Sequence, residues 1–191
     1  MTTTPSAPAK KKATFNTLTV SEVRALTEDS VEVSFAIPPE LQDDYDYIPG
    51  QYVALRATID GQEVRRSYSI CDVPRDGVLR VAIKRDRGGV FSTWANDTLQ
   101  PGDTMDVMNP QGAFTSRTHV TSLNDAQKVA AEKVAEKKDT HLVAFAAGSG
   151  ITPIMAIAKA VLAASETSRF DLVYANRSAM DVMFAEEIGD L

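Results

Sequence analysis

"HLVAFAAGSGITPIMAI", residues 141–157, decides the architecture of this 191-residue chain. Residues 141–147 form a nearly continuous apolar run, as expected of a parallel strand buried on both faces. Gly148-Ser149-Gly150 then turns the chain, and "IMAIAKAVLAASE" (154–166) reads as a helix. Pro153 suits the first helical turn, where its missing N–H leaves no bond unmade. Strand, glycine turn and helix in this order are what a dinucleotide pyrophosphate site requires, although the spacing is not G-x-G-x-x-G. The other reading is a tight strand-to-helix connection without a ligand.

Downstream, a second strand "RFDLVYAN" (169–176) and a helix starting near Ser178 extend the pattern to β-α-β-α. That is the opening of an α/β nucleotide-binding domain. Ser178 with Asp181 resembles a capping box. Parallel sheets are stable only when several strands bury both faces. Residues 140–191 are therefore expected to be the N-terminal part of a nucleotide-binding domain that is completed elsewhere.

Upstream the pattern is different. Segments 15–24, 31–37, 51–59, 63–70, 78–84 and 103–108 are short and rich in Val, Ile, Tyr and Phe. They are separated by turn signals such as "PPE", "YIPG", "DG" and "QPGD". Six strands at this spacing predict an antiparallel barrel over residues 13–117. One helix-like interruption, "GGVFSTWANDTLQPG" (88–102), opens on two glycines and closes at Pro101-Gly102. Backbone amides at a helix N-terminus form an anion site, and glycines let a phosphate approach closely. Alternatively, the stretch is a glycine-rich hairpin end that merely starts a helix. Residues 1–12, with Lys10-Lys11-Lys12, have nothing to bury and read as a disordered tail. "SLNDAQKVAAEKVAEKKD", within the connecting region 118–139, reads as a helical connector over 122–138.

A net charge of −6 argues against nucleic-acid binding, which needs a basic surface. No apolar run approaches the roughly 20 residues of a membrane span, and the N-terminus has no apolar core for a secretory signal. The expectation is a cytoplasmic protein with no membrane partner. A single cysteine, Cys71, leaves no cluster for zinc or iron–sulfur ligation, so no metal site is expected.

"EVRRSYSICDVP" (63–74) carries the chemistry of the barrel. In a strand, residues two apart share a face, so Arg66 and Tyr68 point the same way. A guanidinium beside an aromatic ring suits a ligand with an anionic part and a flat part. An ordinary exposed strand, with Arg66 snorkelling and Tyr68 half-buried, is the alternative. His119 and His141 lie in no motif, and Cys71 reads as a small buried residue.

"RRSYSI", "GGVFSTWANDTLQPGD", "AAGSGITP" and "YANRS", in this order, resemble the ferredoxin–NADP reductase superfamily over residues 14–191. They look most like oxygenase reductases of the phenylacetate-degradation type. The resemblance implies a six-stranded antiparallel FAD-binding Greek-key barrel followed by a parallel α/β NAD(P)-binding domain. It implies that Arg66 holds the FAD pyrophosphate, that Tyr68 lies against the flavin and its ribityl chain, and that Ser69 lies near flavin N5. Gly89, Val90 and Ser92 would surround the pyrophosphate, and the backbone of Ala82, Ile83 and Lys84 would pass beside the nucleotide. Thr152 would lie by the flavin ring on the nicotinamide side; Ser69 and Thr152 are the catalytic candidates. Gly148 and Gly150 would shape the NAD(P) turn, and Arg177 would stand near the adenosine.

The implied activity is FAD-dependent oxidation of NAD(P)H, with NADH favoured. Electrons would pass to an oxygenase or another acceptor, through a 2Fe-2S centre only if a further C-terminal domain supplies one. Rival readings are the flavin module of a flavohaemoglobin-like reductase or of a dihydroorotate dehydrogenase electron-transfer subunit. A flavin-binding module without turnover is the third.

Overall fold

The computed structural model describes residues 12–75, 77–115 and 140–191. The proposed tail, the connector helix over 122–138 and the boundaries at 117 and 139 lie outside these residues, apart from Lys12. Six strands form one antiparallel sheet: β1 (Phe15–Thr27), β2 (Ser30–Ala36), β3 (Tyr52–Ile59), β4 (Gln62–Ser69), β5 (Val78–Lys84) and β6 (Thr104–Met108). Their spatial order is β4-β3-β6-β1-β2-β5. Placing β6 between β3 and β1 gives the non-sequential return of a Greek key. β1 is three residues longer than the sequence suggests, because bulges at Val20/Glu22 and Ala25/Thr27 let it bend while staying paired with β2.

The two edge strands come together at one point. Ile70 bridges Val81, and Cys71 donates its N–H to the Arg80 carbonyl at 3.0 Å. The sheet thus curls into a barrel that is pinned rather than fully laddered along this seam. Its interior is filled by Leu18, Val33, Phe35, Val53, Leu55, Leu79 and Val107, all at most 1% exposed. Helix α1 (Val90–Thr98) plugs one end of the barrel with Phe91, Ala95 and the flanking Leu99.

The second unit is β7 (His141–Ala147), a 3-10 turn at Gly148–Gly150, helix α2 (Ile151–Ala164) and β8 (Arg169–Ala175). β7 and β8 pair in parallel over seven registered positions. Helix α2 begins three residues earlier than the apolar run indicates, with Pro153 inside its first turn. The last element also differs from the sequence reading. Ser178 starts no α-helix, only a 3-10 turn; its hydroxyl donates to the Asp181 carboxylate at 2.8 Å instead of capping a backbone amide. That turn spans Ala179–Asp181, Phe184 takes the left-handed conformation at φ 60°, and helix α3 spans Ala185–Gly189.

One face of α2 packs on the barrel. Ile151, Ile154 and Met155 meet Cys71 and Ala82, joined by Met183 and Phe184. The other flank of α2 covers Ala144, Ala146, Phe170 and Leu172 of the small sheet.

Candidate functional site

Strand β4 presents its residues to two sides. Val64, Arg66 and Tyr68 alternate toward the side where Val53 and Leu55 of β3 lie, since directly opposed residues share a face: Tyr68 faces Val53 and Arg66 faces Leu55. Ser69 is half-buried on the opposite side, opposite Tyr52. Arg66 and Tyr68 therefore work as one pair and Ser69 as a separate group.

Tyr68 is half-buried, and its ring centre stands 5.8 Å from that of Phe91, the second residue of α1. Phe91 in turn meets Trp94 edge-on at 5.6 Å. This aromatic chain sets the arginine–tyrosine face beside the helix N-terminus. Burial pushes the Tyr68 phenol up to about 12, with Asp86 adding to it and Arg66 opposing. The phenol is a neutral donor across the physiological range. Arg66 is exposed; its Nη1 donates to the Arg65 carbonyl at 2.7 Å, and among the described residues no carboxylate is paired with it. Its remaining N–H groups are free for an anion.

Helix α1 starts at Gly89, which has no side chain to satisfy the first amides. Val90 is exposed, whereas Ser92 is buried. The Ser92 hydroxyl accepts from the Asp86 N–H at 3.0 Å and approaches the Gly89 carbonyl at 3.4 Å. It thus shapes the glycine loop, and what it offers an anion is its backbone amide. A Cβ on Gly89 would stand 2.5 Å from that hydroxyl, so the loop closes only over glycine.

Ala82, Ile83 and Lys84 form the end of β5. Ala82 touches α2, the Ile83 carbonyl accepts from the Asn96 side chain at 3.2 Å, and Lys84 Nζ pairs with Asp29 at 3.1 Å. The Gly148–Gly150 turn lies against this same strand. Gly148 takes φ +48°, and nothing stands within 4 Å of a Cβ placed on Gly148 or Gly150. Open space before a strand–glycine–helix turn is what an approaching pyrophosphate needs. Thr152 is buried, and its hydroxyl donates to the Ser149 carbonyl at 3.0 Å, which braces the turn.

Arg177 does not project freely from "YANRS". Its Nη2 pairs with Asp181 at 2.7 Å and with Asp29 of the β1–β2 turn at 3.1 Å. Bonds from Thr27 and Lys84 overcome the opposing effect of burial and hold the Asp29 carboxyl below the usual range; those from Ser178 and Arg177 do the same for Asp181.

Sequence reasoning missed three contributors. Phe91 and Asn96 lie within the 88–102 stretch and Asp86 just before it, but nothing in the residue types marked their contacts with Tyr68, the Ile83 carbonyl and the Ser92 hydroxyl.

A barrel with an arginine–tyrosine strand facing an uncapped helix, next to an open glycine turn on a parallel β-α-β unit, is the arrangement that the sequence resemblance implies for a flavin- and nicotinamide-binding fold. Residues 17–116 match the oxidoreductase FAD-binding domain and residues 145–191 the oxidoreductase NAD-binding domain. The chain belongs to this family of FAD- and NAD-binding oxidoreductases. It is 40% identical over 178 residues to a component chain of the 1,2-phenylacetyl-CoA epoxidase of Escherichia coli, covering 93% of this chain and 46% of the relative. It is 36% identical to the ferredoxin reductase component of 3-ketosteroid-9-alpha-monooxygenase from Rhodococcus rhodochrous, covering 90% and 44%. The chain thus spans about half the length of these curated relatives. Among solved structures, the flavohaem-like FAD/NAD-binding domain of nitric oxide dioxygenase from Vibrio cholerae shares the fold. Its TM-score is 0.72 at 23% identity, covering 91% of this chain and 68% of that one. No described helix is long and apolar enough to cross a membrane.

Proposed function

We propose that this chain is the flavin-binding part, with the start of the nicotinamide part, of a reductase that passes electrons from NADH to an oxygenase component. FAD, when bound, would supply the redox chemistry, taking up a hydride (two electrons with one proton) from the nicotinamide and releasing the electrons singly to an acceptor. The protein binds and orients. Arg66 neutralises pyrophosphate charge through a charge-assisted contact worth about 1.5–3 kcal/mol. The first amides of α1 add roughly 0.3–1 kcal/mol. The neutral Tyr68 phenol and its ring flank the flavin, and Ser69, on the other side of β4, serves the redox end. The Gly148–Gly150 turn receives the nicotinamide nucleotide, with Thr152 bracing that turn.

The observation that carries this reading is the pairing of Arg66, which has no carboxylate partner among the described residues, with Tyr68 against the first turn of α1. NADH is favoured over NADPH because Arg177, which the resemblance places near the adenosine, is already held by Asp29 and Asp181 rather than left to a 2′-phosphate. The oxygenase as acceptor rests on the epoxidase and monooxygenase systems to which the two relatives belong by name.

The test is the visible spectrum of the purified chain with and without added FAD. Flavin bands that survive desalting support the reading, and Arg66→Ala should weaken FAD retention without changing the fold. A folded protein that takes up no FAD refutes it.

A further inference from the structure

Lys159 has no part in either nucleotide site described above. It lies seven residues beyond Thr152, about two helical turns, so both side chains leave the same face of α2. Its side chain is 17% exposed, with Nζ 3.2 Å from Asp72 Oδ1 and 2.6 Å from Glu187 Oε2. Asp72, 3% exposed, comes three residues after Ser69 and also accepts from Arg80 at 3.0 Å. Glu187, on α3, pairs in turn with Arg24 of β1. The Lys159 ammonium thus joins the barrel seam to α2 and α3, and the Arg24 guanidinium joins α3 back to the barrel.

The apolar contact around it, Ile151, Ile154 and Met155 on Cys71 and Ala82, is non-directional. Such a contact tolerates sliding by a fraction of a turn. A largely buried ammonium between two carboxylates does not: Asp72 keeps Arg75 and Arg80 and Glu187 keeps Arg24, but a displaced ammonium is left unpaired away from water. Burial pushes the Lys159 ammonium down, but its bonds to Glu187 and Asp72 outweigh that, so it stays charged.

We propose that Lys159 is a positioning residue that fixes the register of α2 against the end of β4. It thereby sets the separation between the Gly148–Gly150 turn with Thr152 and the strand bearing Arg66, Tyr68 and Ser69. The proposal rests on the reductase reading, in which the two nucleotides must meet with reacting atoms aligned; misplacement by about 1 Å can slow such a step by about 100-fold.

The experiment compares the FAD-loaded full chain as wild type, Lys159→Met and Lys159→Arg. Two quantities are measured: hydrogen exchange in α2 and in residues 70–72, and the anaerobic rate of flavin bleaching at saturating NADH, with FAD affinity recorded alongside. Lys159→Met should speed exchange in both segments and slow bleaching by about 10–100-fold at unchanged FAD affinity. Lys159→Arg, whose guanidinium reaches both carboxylates, should restore most of the protection and the rate. Glu187→Gln, which removes one leg, should shift both readouts less in the same direction, and it replaces Lys159→Met if that variant does not fold. Unchanged exchange in the Met variant overturns the proposal, as does faster exchange with a wild-type bleaching rate. A wild type that binds FAD but is not bleached by NADH fails the reductase reading. Exchange then decides alone: a loosened α2 restored by Lys159→Arg sustains the clamp, and unaltered protection overturns it.

Discussion

The barrel and the β7–α2–β8 unit use apolar residues in opposite ways. In the barrel, Val33, Phe35, Val53, Leu55 and Val107 face one another and are fully enclosed. In the small sheet, α2 covers one face only, and the other leaves Val143 59%, Phe145 76% and Val173 54% exposed. Six strands curled on themselves make their own interior, whereas two parallel strands need a layer on each side. The barrel should therefore hold its stability internally. The α/β unit should draw its order from the surface where Ile151 and Met155 meet Cys71 and Ala82, and from the ion chain through Lys159.

The sharpest way to break that contrast is Phe35→Ala. Phe35 is wholly buried and packs in the main cluster, so truncation should cost about 3–5 kcal/mol, read from the urea midpoint of circular dichroism. A loss under about 1 kcal/mol would place the barrel core among ordinary surface sites.

Gly50→Ala tests the joint between the two regions. Gly50 takes φ +100°, and an added Cβ would fall 1.9 Å from the Phe114 carbonyl oxygen and 3.2 Å from Ile157 Cδ1 of α2. The obstacle is backbone, which cannot swing aside. Overpacking and left-handed strain together should destabilise by about 2–4 kcal/mol, with α2 losing hydrogen-exchange protection before the barrel does.

Arg66→Ala comes next and acts on ligand rather than fold. The side chain is exposed, so the melting temperature of the FAD-free protein should hardly move. FAD retention, followed by fluorescence titration, should fall by about 1.5–3 kcal/mol. An unchanged affinity would remove Arg66 from the site.

These contrasts explain what could be read in the sequence. Runs of Val, Ile, Tyr and Phe between turn residues marked all six barrel strands, because each strand contributes apolar side chains to the enclosed interior; β2, buried on both faces, shows that alternation was not the signal. The glycine turn and Pro153 marked the start of the β-α-β unit. The bulges that carry β1 on to Thr27 escaped, since pairing with β2, not propensity, sustains those residues. The helix expected from Ser178 escaped because Ser178 bonds the Asp181 side chain and Phe184 turns left-handed, interrupting the run. At the site, the R-x-Y-S strand and both glycine turns were legible because backbone conformation and residue type are tied there. Roles that depend on long-range partners were not: Arg177 meets Asp29 across the chain, and Ser92 turns inward to hold its own loop.

Acid should loosen the joint. Burial pushes the Glu187 carboxyl up, but its bonds to Lys159 and Arg24 outweigh that and hold it below the usual carboxylate range. A group with a depressed folded pKa stabilises fully above its unfolded value, about 4.3, and loses that contribution as pH falls through the folded value. Glu187→Gln should therefore lower the melting temperature at pH 7, and the gap to wild type should close as the pH drops below about 4. A gap that stays constant would mean that the carboxylate charge does not tie α3 to Lys159.

The smallest effect should come from the open face. Phe145 sits in mid-strand, where a fully buried phenylalanine would cost several kcal/mol to truncate. At 76% exposed it has little packing to lose, so Phe145→Ala should change stability by no more than about 0.5 kcal/mol. The same substitution removes the only ring from the three large apolar residues exposed on that face, and exposed apolar patches promote association. Sedimentation at rising concentration should then show the variant self-associating less than the parent. A loss of about 2 kcal/mol or more would reverse the comparison, because only a covered ring can lose that much. The small sheet would then be two-sided in solution, and the difference between the two regions would lie in what covers them rather than in how they fold.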